Sequence, residues 1–279
     1  QMNLNFTQFK KNYFNKKNQS FFLMADCKKK HVIENAINQY LKLDNSFIFE
    51  SVEKGKIRGR FTIIGFNPDK IWNFNKKKVE VIQNNNRYKV SERPYKFLKN
   101  LIENFDFPLP KPLPPMSAIL VGYFSYDIIR YIEKIPDSCK DDLKIPDIRI
   151  LRPINLIIHD NHLHKIYFIH NCFANEKINN LKLYYQQVNQ TLSIMKRKST
   201  NFHRDKKNKP NKKLLLNIKS NVTKKKFKDM VFKVKDYIKN GDIFQAVISQ
   251  RFEAKLTKKP IEIYKKLRIT NPSPFLFFL

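Results

Sequence analysis

The chain closes on NPSPFLFFL, Asn271 to Leu279, and its last five residues are all bulky and apolar. A run of that kind, without polar alternation, reads as a segment covered on both sides, such as a strand inside a sheet. Chain ends are ordinarily polar and exposed, because nothing obliges them to pack. A chain closing on such a run stops, by this reading, in the middle of its own core.

With 279 residues, 42% of them apolar, the chain has material for a sizeable core. Its apolar runs, Phe21 to Ala25 and Phe275 to Leu279, fall far short of the roughly 20 residues of a membrane helix, so no span is expected. The stretch SFFLMADC is too short for a signal-peptide core, and Asp26 does not suit the position before a cleavage site. Three cysteines, Cys27, Cys139 and Cys172, are odd in number and lack metal spacing, which fits a reducing cytoplasm.

Charge is the loudest compositional signal, with 55 Lys and Arg against 24 Asp and Glu, formally +31. Such a balance raises a nucleic-acid partner, since phosphate contacts need clustered cations. Here the excess is mostly lysine spread over the whole chain, the pattern left when solvated positions drift toward A/T-rich codons. No specific nucleic acid is expected. A basic nucleic-acid-binding protein stays as the reading from another class, and it requires Lys and Arg gathered on one face.

Periodicity supplies the elements. HVIENAINQYLKL sets Ile33, Ile37, Tyr40 and Leu41 at helical spacing, while residues 1–20 look polar and irregular. NSFIFESVEKGKIRGRFTIIGFNP reads as strand, turn and strand, and IWNFNKKKVEVI as two more strands about a polar turn. ERPYKFLKNLIENF is helical, and the prolines from Pro108 to Pro115 make a stiff connector. MSAILVGYFSYDIIRYIEKIP begins as a buried strand and continues as a helix, with Tyr126, Ile129 and Ile132 on one side. INLIIHDNHLHKIYFIH is a hairpin about Asp160 and Asn161. His162 and His164 beside that turn lack a third metal ligand and read as solvent-facing.

Ile178, Leu181, Tyr185, Val188 and Leu192 mark a long amphipathic helix, after which residues 196–213 read as a basic surface linker. Thr223 caps a further helix with Phe227, Val231, Val234 and Ile238 on one stripe and Gly241 as its stop. DIFQAVISQRFEAKL then alternates as a strand, with Gln245, Val247, Ser249 and Arg251 on one face. The fold class expected is α+β, with antiparallel β-sheets packed as a sandwich and helices outside.

Three stretches in order, FIFESVEKGKIRGRFTIIGFNP, VGYFSYDIIRYIEKIP and IKNGDIFQAVISQRF through PIEIYKKLRITNPSPFLFFL, together resemble anthranilate synthase component I. The resemblance runs from about Phe21 to Leu279. Because the family's members are much longer, it implies the N-terminal part of a longer protein, with FLFFL an interior strand cut at its end. Gln1 in place of a starting Met fits that expectation. The same resemblance implies an N-terminal region at 1–195, the basic linker at 196–213 and the start of a chorismate-binding domain at 214–279. The activity it implies is conversion of chorismate and ammonia to anthranilate and pyruvate. Mg2+ would neutralise a chorismate carboxylate and assist departure of the ring hydroxyl, with its ligands beyond Leu279, so that these 279 residues alone would be inactive. A glutamine amidotransferase subunit would deliver the ammonia, in a cytoplasmic heterotetramer when full length. Aminodeoxychorismate synthase component I is the alternative of the same architecture.

The resemblance also implies a feedback pocket for L-tryptophan, made here by Glu50 and Ser51 with Pro274, Phe275 and Leu276. Such a pocket needs an acceptor for the ammonium, donors for the carboxylate and an apolar slot for the indole. Glu50 suits the first, Ser51 and Arg60 the polar ends, and Phe275 and Leu276 the slot. Phe275 and Leu276 stand where the family often carries Tyr and Met. Gln245 is the one position of active-site type: related enzymes that add water look to have a lysine base there, which an enzyme adding ammonia does not need.

Overall fold

The computed structural model describes residues 2–28, 31–53, 57–76, 78–201, 217–271 and 273–279. They group into two compact units, Gln1–His203 with Lys266–Leu279, and Arg204–Lys265.

In chain order the elements begin with α1 (Phe6–Phe14), β1 (Gln19–Asp26), α2 (His31–Tyr40), β2 (Phe47–Glu53) and β3 (Ile57–Asn75). Next come β4 (Lys78–Gln83), β5 (Asn86–Val90), α3 (Pro94–Glu103) and β6 (Val121–Phe124). β7 (Ile148–Asp160), β8 (Lys165–Cys172), α4 (Leu181–Thr200), β9 (Lys219–Ser220) and α5 (Lys224–Lys239) follow. β10 (Phe252–Glu253), α6 (Pro260–Thr270) and β11 (Phe275–Phe278) complete the series.

The first unit is built on one nine-stranded sheet whose pairings are all antiparallel, and β3 and β7 are its long central strands. Their register slips between Pro68 and Lys70, where Pro68 lies opposite Pro153. Proline has no N–H for the ladder, so a facing pair is tolerated only where pairing is already broken. The slip divides the sheet. On one side the order is β1-β8-β7-β3-β2-β11, and on the other β6, β4 and β5 join the far halves of β7 and β3. Each part has its own core. Phe47, Leu156, Ile158, Tyr167 and Ile169 fill one, and Trp72, Phe74, Val79, Val81, Ile148 and Ile150 the other.

The α+β class matches expectation, and the strands of the first unit form one open sheet in place of two packed ones. Helices cover one face. α2 and α4 lie against each other, with α4 on β1 and β8 and α2 on β3. Tyr40 of α2 stacks on Phe66 with ring centroids 4.3 Å apart, and Phe9 of α1 meets Phe21 at 5.2 Å. The opposite face, which carries Phe47 and Ile158, packs on Leu109, Leu113 and Met116 of the proline-rich connector.

Four local expectations are corrected. Residues 1–20 are not irregular: Asn5 caps α1 by accepting from the Gln8 amide, and Phe9 is fully buried. Tyr126–Tyr131 is a short 3-10 helix in which Ile128 and Tyr131 pack on the sheet core of Trp72, Phe74 and Ile148, while Tyr126 stays exposed. The first five residues placed in the linker continue α4 to Thr200, and 202–216 lie outside the described residues. β11 is a strand, but at the edge of the sheet order, so Phe275 and Phe277 remain 78% and 65% exposed. Among the described residues no helix is long and apolar enough to cross a membrane.

In the second unit Thr223 caps α5 by accepting from the Lys226 amide, and Gly241 follows at φ +79. The left-handed conformation there is the reason for glycine. The strand expected over 242–256 shrinks to Phe252–Glu253, paired with Lys219–Ser220. Alternation specifies a strand only if a neighbour completes the ladder, and here Phe244 is 99% exposed.

Candidate functional site

β11 and β2 bring together the two segments that the sequence reading placed in one pocket. Their register sets Phe275 opposite Ser51 and Leu276 opposite Glu50. Pro274 is the residue before β11, where a missing N–H costs the ladder nothing.

Glu50 and Ser51 are neighbours in the chain but differ in direction. Glu50, only 3% exposed, shares the helix-covered face with its cross-strand partner Thr62. The Arg268 guanidinium holds its carboxylate, with Nε 2.8 Å from Oε2 and Nη2 donating to Oε1 at 3.0 Å. The same guanidinium donates to Glu34 of α2 through Nη2 at 3.1 Å and Nη1 at 3.4 Å. A fork-shaped cation suits a buried carboxylate, because it supplies both charge and paired donors.

Ser51 occupies a bulge where β2 and β3 lose register between Glu50 and Val52. Its hydroxyl accepts from the Phe61 amide and donates to the Phe61 carbonyl, each at 3.2 Å. Opposite it, Gly59 approaches so closely that any side chain at 59 would meet Ser51. The bulge therefore rests on a glycine and a serine together.

Arg60 turns toward the β7–β8 turn. It donates to Asp160 Oδ2 from Nε and Nη2 at 3.2 and 3.1 Å and lies over the Phe61 ring. Burial pushes the Asp160 carboxyl up, but Arg60 and the amides of Leu163 and His162 outweigh it and hold the group below the usual carboxylate range. That turn is the expected hairpin. Cys27 and Cys172 are buried, and Cys139 is exposed.

Gln245 lies in the second unit, exposed and outside any strand, so the strand placement expected for it is not found. Among the described residues no group of three or more His, Cys, Asp or Glu could hold a metal ion. The described residues thus offer no donor set for Mg2+, whose ligands the family resemblance sets beyond Leu279. Arg268 and Glu34 escaped the sequence reading. Arg268 stood inside the LR of the third motif without a role, and a buried Glu50 requiring a cation was the signal that could have found it.

Residues 44–279 match the family described as chorismate binding enzyme. The chain is 30% identical over 259 residues to anthranilate synthase component 1 of Acetivibrio thermocellus, covering 88% of this chain and 51% of that protein. It is 31% identical over 261 residues to anthranilate synthase component 1 of Cereibacter sphaeroides, again 88% and 51%. With the chloroplastic anthranilate synthase alpha subunit 1 of Arabidopsis thaliana it shares 33% over 253 residues, 84% of this chain and 42% of that one. The crystal structure of anthranilate synthase component I from Streptococcus pneumoniae TIGR4 superimposes with a TM-score of 0.60 at 26% identity, covering 80% and 48% of the two chains. The chain thus spans about half the length of the first two relatives.

Proposed function

The chain belongs to the chorismate-binding enzyme family, and from that premise we propose that it serves an anthranilate synthase component I. The reaction takes chorismate and ammonia to anthranilate, pyruvate and water. A glutamine amidotransferase subunit supplies the ammonia in a cytoplasmic heterotetramer, and L-tryptophan inhibits by binding at the β2–β11 junction. Magnesium enters the proposal as a requirement of turnover and is assigned no residue.

The pairing of Phe275 with Ser51 and of Leu276 with Glu50 carries the proposal. It sets an apolar aromatic surface beside a hydroxyl at an exposed sheet edge, which suits an indole with a polar tail. An amino acid lying across both strands acts by favouring one arrangement of β11 on β2, and it needs no contact with chorismate.

The test has two arms. L-Tryptophan titrated calorimetrically into the 279-residue chain should bind at one site. The full translation product of the gene, given chorismate, Mg2+ and ammonium, should form fluorescent anthranilate and be inhibited by tryptophan. Accumulation of an aminodeoxychorismate without anthranilate would transfer the chain to the alternative synthase, and no product at all would end the proposal.

A further inference from the structure

Glu50 is held twice. Its backbone pairs with Leu276 of β11, and its side chain is clasped by Arg268 in the last turn of α6. Arg268 and Leu276 are therefore both tied to a single residue. Glu34 anchors the same guanidinium to α2, so α2, α6 and β2 meet at one cation, and β11 pairs with β2 beside it.

The geometry tells against the ammonium contact that the sequence reading gave to Glu50. Its side chain is 2% exposed and that of Arg268 12%. An ammonium reaching the carboxylate would have to displace the guanidinium and leave a buried arginine short of a partner, a costly exchange. Side chains also alternate across a strand. Glu50 and Leu276 share the helix-covered face, whereas Phe275 belongs to the face opposite. A ligand resting on Phe275 therefore lies across the sheet from the Glu50 carboxylate.

We infer that Glu50 is a positioning residue acting through Arg268: the Glu34–Arg268–Glu50 triad pins the end of α6, and with it β11, onto β2, and so sets tryptophan affinity without touching the ligand. The affinity part rests on the proposed tryptophan site, while the pinning of β11 stands independently.

The experiment measures amide hydrogen exchange of Phe275–Phe278 in the 279-residue chain, alongside calorimetric titration with tryptophan and with indole-3-propionate, which lacks the ammonium. The variants are Glu50→Gln, Arg268→Gln, both together, and Arg268→Lys. Each single Gln variant should lose β11 protection and weaken both ligands by roughly tenfold. The double variant should be no worse than either single one, because the two residues act as one unit. Arg268→Lys should recover part of the loss, and it is the variant to read if Arg268→Gln does not fold.

A different pattern would overturn the inference. If Glu50→Gln weakens tryptophan but not indole-3-propionate, and Arg268→Gln weakens neither, the carboxylate holds the ammonium directly. Unchanged β11 protection in Arg268→Gln, or in Arg268→Lys if that is the variant read, would remove the pin. Failure of wild type to bind tryptophan while the Arg268 variants lose β11 protection would defeat the proposed effector and leave the pin standing.

Discussion

A β-carbon added at Gly59 would run into the side chain of Ser51. The two residues face each other in the bulge between β2 and β3, where the Ser51 hydroxyl closes on the Phe61 backbone. Space requires this glycine, in contrast to Gly241, which is required by its positive φ.

Gly59→Ala should therefore cost about 1–3 kcal/mol through overpacking, and it should loosen the Ser51–Phe61 bonds. Gly241→Ala, with open space around it, should cost only about 1 kcal/mol, from its backbone conformation. Urea unfolding of both variants checks the order. An unchanged midpoint for Gly59→Ala would contradict the bulge.

His170 is expected to dominate the acid side of the stability profile. Its Nδ1 lies 2.8 Å from Asn155 Oδ1 and its Nε2 3.0 Å from the Tyr184 hydroxyl. Burial pushes its pKa down from 6.5 to about 4. Between those values the unfolded chain binds the extra proton, so this contribution is complete above pH 6.5 and is lost as pH falls toward 4. At about pH 5 the loss should reach roughly 2 kcal/mol. Urea midpoints across this range should show that slope, and His170→Asn should flatten it. The lowered carboxyls of Asp160 and Glu176 add their losses only at lower pH, as pH drops through the folded values of those groups.

Substitution at Ser51 should separate stability from regulation. Ser51→Ala forfeits the bonds to Phe61 and should cost about 1 kcal/mol of folding stability. Ser51→Phe cannot fit against Gly59 and should abolish tryptophan binding. Phe275→Tyr should leave stability within about 0.5 kcal/mol, since the ring is exposed, and should tighten tryptophan if the new hydroxyl reaches its polar end. Tryptophan affinity equal to wild type in Ser51→Phe would dismiss the junction as the effector site.

The exposed edge invites self-association. Phe275 and Phe277 project from an edge strand, which presents both open backbone groups and apolar side chains. Replacing Phe277 by Lys should lower light scattering at high concentration without moving the melting temperature, because its side chain is mostly exposed. Identical scattering from the two proteins would show that the edge does not self-pair.

Local periodicity was enough to locate α2, α3 and the body of α4, as well as the β7–β8 hairpin and the Thr223 and Gly241 boundaries of α5. Each is specified by spacing or by a cap within one short window, where the chain itself supplies the interactions. The motifs ES and NPSP named the two sides of a junction only through the family resemblance, since no local spacing or cap points from one to the other. Tertiary structure decided what periodicity could not. It ended the expected strand after Gly241, since a ladder needs a neighbour, and it turned an apolar terminal run into a half-exposed edge. It joined the strands of the first unit into one sheet whose register slips beside Pro68 and Pro153. It also gave Glu50 to Arg268, more than 200 residues away, because a buried carboxylate takes whichever cation the fold brings within reach and no local pattern records that choice.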